Sequence, residues 1–272
     1  MNILEAVIMG IVQGLTEFLP VSSSGHLVLI QKLAGLDEGV LTFDIAVHLA
    51  TLISVIIVLR QDVMAILKKP LSKLTFLIIA ASIPTAIIGF VFRDTFQKLY
   101  ETGVSTGLEF IFTGLVLWIA DGISRPGKGR QFGEIGYIDA ILIGTAQGIA
   151  ILPAVSRSGL TLAGGLARGL KREAAIRFSF LLSIPAILGP ALLDGMKLVR
   201  NNEVALAGGL PSVPVLLGGM LAAGVAGYFA IKLLLGYFAK VGLKGFAYYV
   251  AALGVLILAD QFFTNWFFPP LF

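Results

Sequence analysis

Gln13-Gly14-Leu15-Thr16-Glu17-Phe18-Leu19-Pro20-Val21-Ser22-Ser23-Ser24-Gly25-His26 interrupts an otherwise apolar run, residues 3–33. About 20 residues of helix cross a bilayer, but Pro20 and the Ser22-Ser23-Ser24-Gly25 group break this run near its middle and leave two pieces too short to span. Non-helical backbone at membrane depth survives only where it is buried in protein or lines a wet cavity. The stretch therefore predicts a re-entrant pair of helices meeting at a polar tip. Residues 138–170 repeat the pattern around Pro153-Ala154-Val155-Ser156-Arg157-Ser158-Gly159.

The two broken segments match at an offset of 134 residues: Gly10 with Gly144, Gln13 with Gln147, Gly14 with Gly148, Ser22 with Ser156, Ser24 with Ser158 and Gly25 with Gly159. That offset is close to half of the 272-residue chain, so each half holds one re-entrant pair and three of the six remaining apolar runs, at 45–59, 74–92, 108–120, 180–193, 213–231 and 246–259. An odd number of spans per half forces the second repeat to be inverted. The predicted fold class is all-α: a polytopic integral membrane protein, an inverted repeat of a re-entrant helix pair plus three transmembrane helices, six spans in total. It forms a single membrane domain over 1–272, with internal repeats at about 1–125 and 135–265.

Composition agrees with a bilayer as solvent. Hydrophobic residues make up 57% of the chain and charged residues 13%, with a mean hydropathy of +0.94; soluble domains carry about 25% charged residues. The absence of cysteine removes disulfides, thiolate nucleophiles, Cys-ligated zinc and iron–sulfur clusters. The net charge of +4 points to loop topology rather than to nucleic acid as a partner. The first ten residues carry Glu5 and no basic residue, unlike a cleavable signal peptide.

The six-span topology sorts the basic residues. Lys32, Arg93, Lys98, Lys197 and Arg200 fall on the face that holds the termini and the first re-entrant mouth. Fourteen fall on the other: Arg60, Lys68, Lys69, Lys73, Arg125, Lys128, Arg130, Arg168, Lys171, Arg172, Arg177, Lys232, Lys240 and Lys244. The positive-inside rule makes the second face cytoplasmic.

Gln13 and Glu17 share one helix face, and a carboxylate within an apolar segment is a functional candidate by default. Ser22, Ser23 and Ser24 supply hydroxyls, of which capping accounts for only some, and His26 adds a group titrating near neutrality. His48, with Asp44 four residues before it, fits a structural role as well as a direct one. Arg157 sits at the second tip beside Ser156, Ser158 and Thr161, where a planar guanidinium and a helix N-terminus suit phosphate. Asp139 and Glu109 read as interfacial, near segment ends. Neither half suffices alone. Brought together, they form an anion site with a carboxylate, an imidazole and hydroxyls, suited to phosphoryl transfer on a lipid-borne phosphate.

The first stretch and Pro153-Ala154-Val155-Ser156-Arg157-Ser158-Gly159-Leu160-Thr161 closely resemble the two signatures of bacterial undecaprenyl-diphosphate phosphatases, the BacA-type enzymes linked to bacitracin resistance. Thr42-Phe43-Asp44, the length and the span pattern fit as well. The resemblance implies hydrolysis of the carrier-lipid diphosphate on the outer side of the cytoplasmic membrane. It assigns Glu17, Ser23, His26 and Arg157 to the catalytic positions and Ser22, Ser156 and Thr161 to the phosphate-binding shell; Gln13, Ser24 and Ser158, beside them in the two stretches, complete the expected substrate-binding set. It also implies a divalent cation. An ionised Glu17 would repel a diphosphate unless a hard cation such as Mg²⁺ or Ca²⁺ bridged them, which places the metal on Glu17. Ser23 is favoured as nucleophile with His26 as the nearby base, attack by His26 itself being left open. Gln13 stands where many members have a second Glu, and Ala154 where the family usually has Gly. Partners implied are the polyprenyl diphosphate and membrane lipids, with a homodimer left open. The rival is a transporter or flippase of a lipid phosphate or small anion, because broken helices and inverted repeats are transporter features.

Overall fold

The computed structural model describes residues 1–35, 40–124, 127–200, 211–238 and 242–271. Arg125 and Lys240, two of the basic residues counted above, lie outside them. Twelve α-helices follow one another among the described residues: α1 Ile3–Phe18, α2 Ser23–Ala34, α3 Val40–Val58, α4 Arg60–Lys68, α5 Lys73–Val91, α6 Arg93–Thr102, α7 Thr106–Ile123, α8 Tyr137–Ile149, α9 Arg157–Ala167, α10 Arg172–Arg200, α11 Val213–Leu233 and α12 Lys244–Ala259. Five of them, α5, α7, α10, α11 and α12, are long and apolar enough to cross a membrane, and α3 with α4, bent by 83° at their break, makes a sixth when the pair is counted as one span.

The breaks are written locally. The α1 helix starts on a capping box in which Asn2 Oδ1 accepts the Glu5 N–H at 2.9 Å and the Asn2 N–H reaches Glu5 Oε2 at 2.8 Å. It stops two residues before Pro20. Ser22 then caps α2, and Ser156 caps α9 in the same way. Sixteen residues of α1 reach only ~24 Å, short of the ~30 Å hydrocarbon layer. Two helices were not foreseen from hydropathy, α4 and α6, because both are polar and lie outside the apolar runs.

The packing crosses the halves. The first re-entrant helix, α1, lies along α11, and the second, α8, lies along α5. In lipid no hydrophobic force draws helices together, so close approach depends on small residues. A Cβ built on Gly10 would run into the carbonyl of Gly219, and one on Gly144 into the carbonyl of Ala81. The α7 helix pairs with α12, and α3 touches α10 and α11. Phe18, Phe110, Phe178, Phe180 and Leu117 fill the core between them.

Ion pairs tie the Lys/Arg-rich end. Arg130 grips Asp139 with two N–H groups at 2.8 and 2.9 Å, and Arg168 adds a third contact at 2.8 Å. Arg172 reaches Asp121 and Ser124, and Asp121 accepts the Leu243 N–H, joining the ends of α7, α10 and α12. Arg177 pairs with Asp62 on α4 and lies 4.4 Å from the centre of the Phe132 ring. The guanidinium of Arg130, backed by the Gly136 N–H and Arg168, holds the Asp139 carboxyl well below the usual carboxylate range despite its burial.

Candidate active site

The two tips are bolted to each other by matching bonds. Ser24 donates to the Pro153 carbonyl at 2.7 Å, and Ser158 donates to the Leu19 carbonyl at 2.9 Å. Donor and acceptor in one bond each lie 134 positions from their counterparts in the other. Ser22 and Ser156 are likewise matched: each hydroxyl accepts the N–H of a glycine three residues on, Gly25 at 3.2 Å and Gly159 at 3.1 Å. Ser22 adopts φ 68°, a conformation costly for a side-chain-bearing residue, which turns the chain from Pro20 into α2.

Three side chains donate to one carboxylate, and a fourth stands beside it. Glu17, 5% exposed, receives Arg157 Nη2 on Oε1 at 2.5 Å. Its other oxygen receives the Ser23 hydroxyl at 2.6 Å and Gln13 Nε2 at 2.9 Å. His48 Nε2 lies 3.6 Å from the same oxygen. Ser23 and Arg157, which both touch Glu17, are the first residues of α2 and α9, so the positive ends of two helix dipoles lie beside this junction. A buried ion pair here gains little over apolar packing, but losing one partner strands the other at a cost of about 3–5 kcal/mol.

Not every predicted residue joins that cluster. Both ring nitrogens of His26 are engaged away from Ser23: Nδ1 lies 2.6 Å from the Ser22 carbonyl, and Nε2 lies 2.8 Å from the Tyr249 hydroxyl. The Thr161 hydroxyl bonds the Arg157 and Ser158 carbonyls and the Ser179 hydroxyl. Ser22 and Ser156 act as caps, while Ser24 and Ser158 join the tips. Glu109, in the first turn of α7, is buried, and its Oε2 accepts the Ala154 N–H at 2.6 Å while Ser105 donates to Oε1 at 2.6 Å. Thr113 on the same helix accepts the Ser156 N–H at 3.2 Å, so α7 carries the second tip.

Sequence reasoning passed over Thr113, which accepts the Ser156 N–H, and Tyr249, which meets His26. Neither stands in a broken segment, and no local spacing marks them. Ala154 fits because its neighbour is Gly25, where a Cβ would meet the Ala154 Cβ at 3.0 Å and Phe110 Cζ at 2.6 Å. A second small residue at 154 is unnecessary once Gly25 makes room.

The chain was also compared with known proteins. The family described as Bacitracin resistance protein BacA matches residues 6–256. A protein of Carboxydothermus hydrogenoformans named undecaprenyl-diphosphatase is 53% identical over 262 residues, covering 96% of this chain and 98% of the relative. Undecaprenyl-diphosphatase 4 of Bacillus thuringiensis subsp. konkukian is 44% identical with the same coverage of both chains. Undecaprenyl-diphosphatase of Rubrobacter xylanophilus is 39% identical, covering 95% of this chain and 98% of its own. A full-length match of this kind, on a helical membrane fold whose two signature stretches meet at Glu17 and Arg157, means that the chain belongs to the BacA family.

Proposed function

We propose that this protein is an undecaprenyl-diphosphate phosphatase. It hydrolyses the carrier-lipid diphosphate to undecaprenyl phosphate and inorganic phosphate on the outer face of the bacterial cytoplasmic membrane, and so recycles the lipid for peptidoglycan synthesis. The names of relatives up to 53% identical support the activity. The observation that carries it is the meeting of Arg157 and Ser23 on the buried Glu17. The excess of Lys and Arg on the opposite face supports the outward mouth. The matched Ser24 and Ser158 bonds support reading 1–125 and 135–265 as inverted repeats.

In this reading Arg157 exchanges Glu17 for the terminal phosphate, whose oxygens its planar fork can hold in pairs. The two helix N-termini stabilise the remaining negative charge. Ser23 Oγ attacks the terminal phosphorus, its bond to the bridging oxygen breaks, and undecaprenyl phosphate leaves. The proton of Ser23 passes to Glu17, its hydrogen-bond acceptor. Water then cleaves the phosphoserine and restores the hydroxyl.

The donor chemistry fits a hard divalent cation. Gln13 Oε1 is a buried carboxamide oxygen without a partner, on the residue bonded to Glu17. Glu17 and Gln13 would hold Mg²⁺ or Ca²⁺, which when bound neutralises diphosphate charge and polarises the phosphoryl group. One carboxylate and one neutral oxygen make that affinity modest. Among the described residues no group of three His, Asp or Glu forms a cation cage.

The test is phosphate release by purified protein given undecaprenyl diphosphate, with chelator and with Mg²⁺ or Ca²⁺ restored. One phosphate per lipid, lost in chelator and regained with metal, is the expected result. Lipid binding without phosphate release favours a transporter, and full activity in chelator removes the cation.

A further inference from the structure

His26 is clamped from three elements. The Ser22 carbonyl can only accept, so His26 Nδ1, 2.6 Å away, must carry the proton. In the neutral imidazole Nε2 then holds the lone pair, and the Tyr249 hydroxyl, 2.8 Å away, donates to it. The two rings stack at 5.7 Å with an 18° interplanar angle, while Phe110 of α7 meets the imidazole edge-on at 5.6 Å. His26 is buried, whereas Tyr249 is half exposed, so the phenol stands between the imidazole and the surroundings of α12. Without that hydroxyl the buried Nε2 would lose its hydrogen-bond partner, and only the stacked ring would remain on the α12 side.

We infer that Tyr249 is a positioning residue for His26, fixing the Nδ1-protonated tautomer and directing the basic Nε2 at α12 instead of at Ser23. The functional weight of this inference rests on His26 being a working group of the phosphatase site. Tyr249 lies in the second half of the chain and His26 in the first, so the first tip borrows its orienting group from the other half. This is the relation that Thr113 and Glu109 have to the second tip in reverse.

The test uses purified protein labelled with ¹⁵N-histidine in detergent micelles. The chain has two histidines, and His48→Gln assigns the remaining signals to His26. The expected spectrum has a protonated Nδ1 and an unprotonated Nε2, and Tyr249→Phe, which keeps the stacked ring, shifts the Nε2 signal. With undecaprenyl diphosphate, loss of one hydrogen bond lowers kcat about tenfold in Tyr249→Phe with KM within about twofold, and adds nothing in a His26→Ala background. The opposite tautomer in the wild type, or nitrogen signals and kcat unchanged in Tyr249→Phe, overturns the inference. If the nitrogen signals behave as expected but no phosphate is released, the phosphatase reading fails and the positioning role stands.

Discussion

Arg157 Nη2 lies 2.5 Å from Glu17 Oε1, although 140 residues separate them in the chain. Each residue sits beside a helix break, and each break is fixed by a serine of the other half, through Ser24 to Pro153 and Ser158 to Leu19. The pair therefore exists only when both tips are seated.

Replacing Arg157 separates charge from shape. Lysine keeps the charge but loses the planar fork, so Arg157→Lys is expected to fall nearly as far as Arg157→Ala, by about 100-fold or more in kcat/KM. Both variants should insert and remain folded. Phosphate release by a lysine variant within about threefold of wild type would make Arg157 a point charge.

Close helix contact gives a contrast between glycines. Gly144→Ala places a methyl against the Ala81 carbonyl and is expected to cost about 1–3 kcal/mol through overpacking. Gly122, within α7, has open space around its Cβ direction, so Gly122→Ala should be neutral or stabilising by up to about 1 kcal/mol. Thermal unfolding in detergent reads both. Equal midpoints for the two variants would contradict the tight α5–α8 seam.

The six spans, both broken pairs and the convergence on Glu17 and Arg157 were legible because each follows from a local rule. Apolar runs of spanning length and Pro-Ser-Gly interruptions repeat at one offset. Hydropathy gave no warning of α4 and α6, whose sequences are polar and whose places depend on neighbours. The partner of Glu109 was not legible, because proximity to a segment end says nothing of what packs there; the Ala154 N–H that it accepts comes from 45 residues away. His26 beside Ser23 in sequence suggested a base and its nucleophile, yet the imidazole is taken up by the Ser22 carbonyl and Tyr249, and Ser23 bonds Glu17.

Asp139 makes stability depend on acid. Its carboxyl is held below the ordinary value of 3.8, so the stabilisation is fully present above that value and declines as pH falls below it toward the folded-state value. Asp139→Asn removes the charge. The gap in unfolding midpoint between wild type and variant should be widest near neutrality and narrow between about pH 4 and pH 2. A gap constant over that range would mean that Arg130 and Arg168 do not stabilise the ionised form.

The chain contains no natural cysteine, so single cysteines report topology directly. Placed at Lys32 and at Lys128, they should label from opposite sides of the membrane. An impermeant thiol reagent added to intact cells should modify position 32 and spare 128. The reverse pattern would put the mouth of the first pair in the cytoplasm.

The most direct measurement is phosphate release from undecaprenyl diphosphate by wild type, Glu17→Gln, Arg157→Ala and the double variant, each verified as folded. Residues acting as one unit are not additive. A single site assembled from two tips predicts that each single change lowers the rate about 100-fold or more and that the double variant is no slower than the worse single. Losses that multiply in the double variant, or a near-normal rate in either single one, would contradict it.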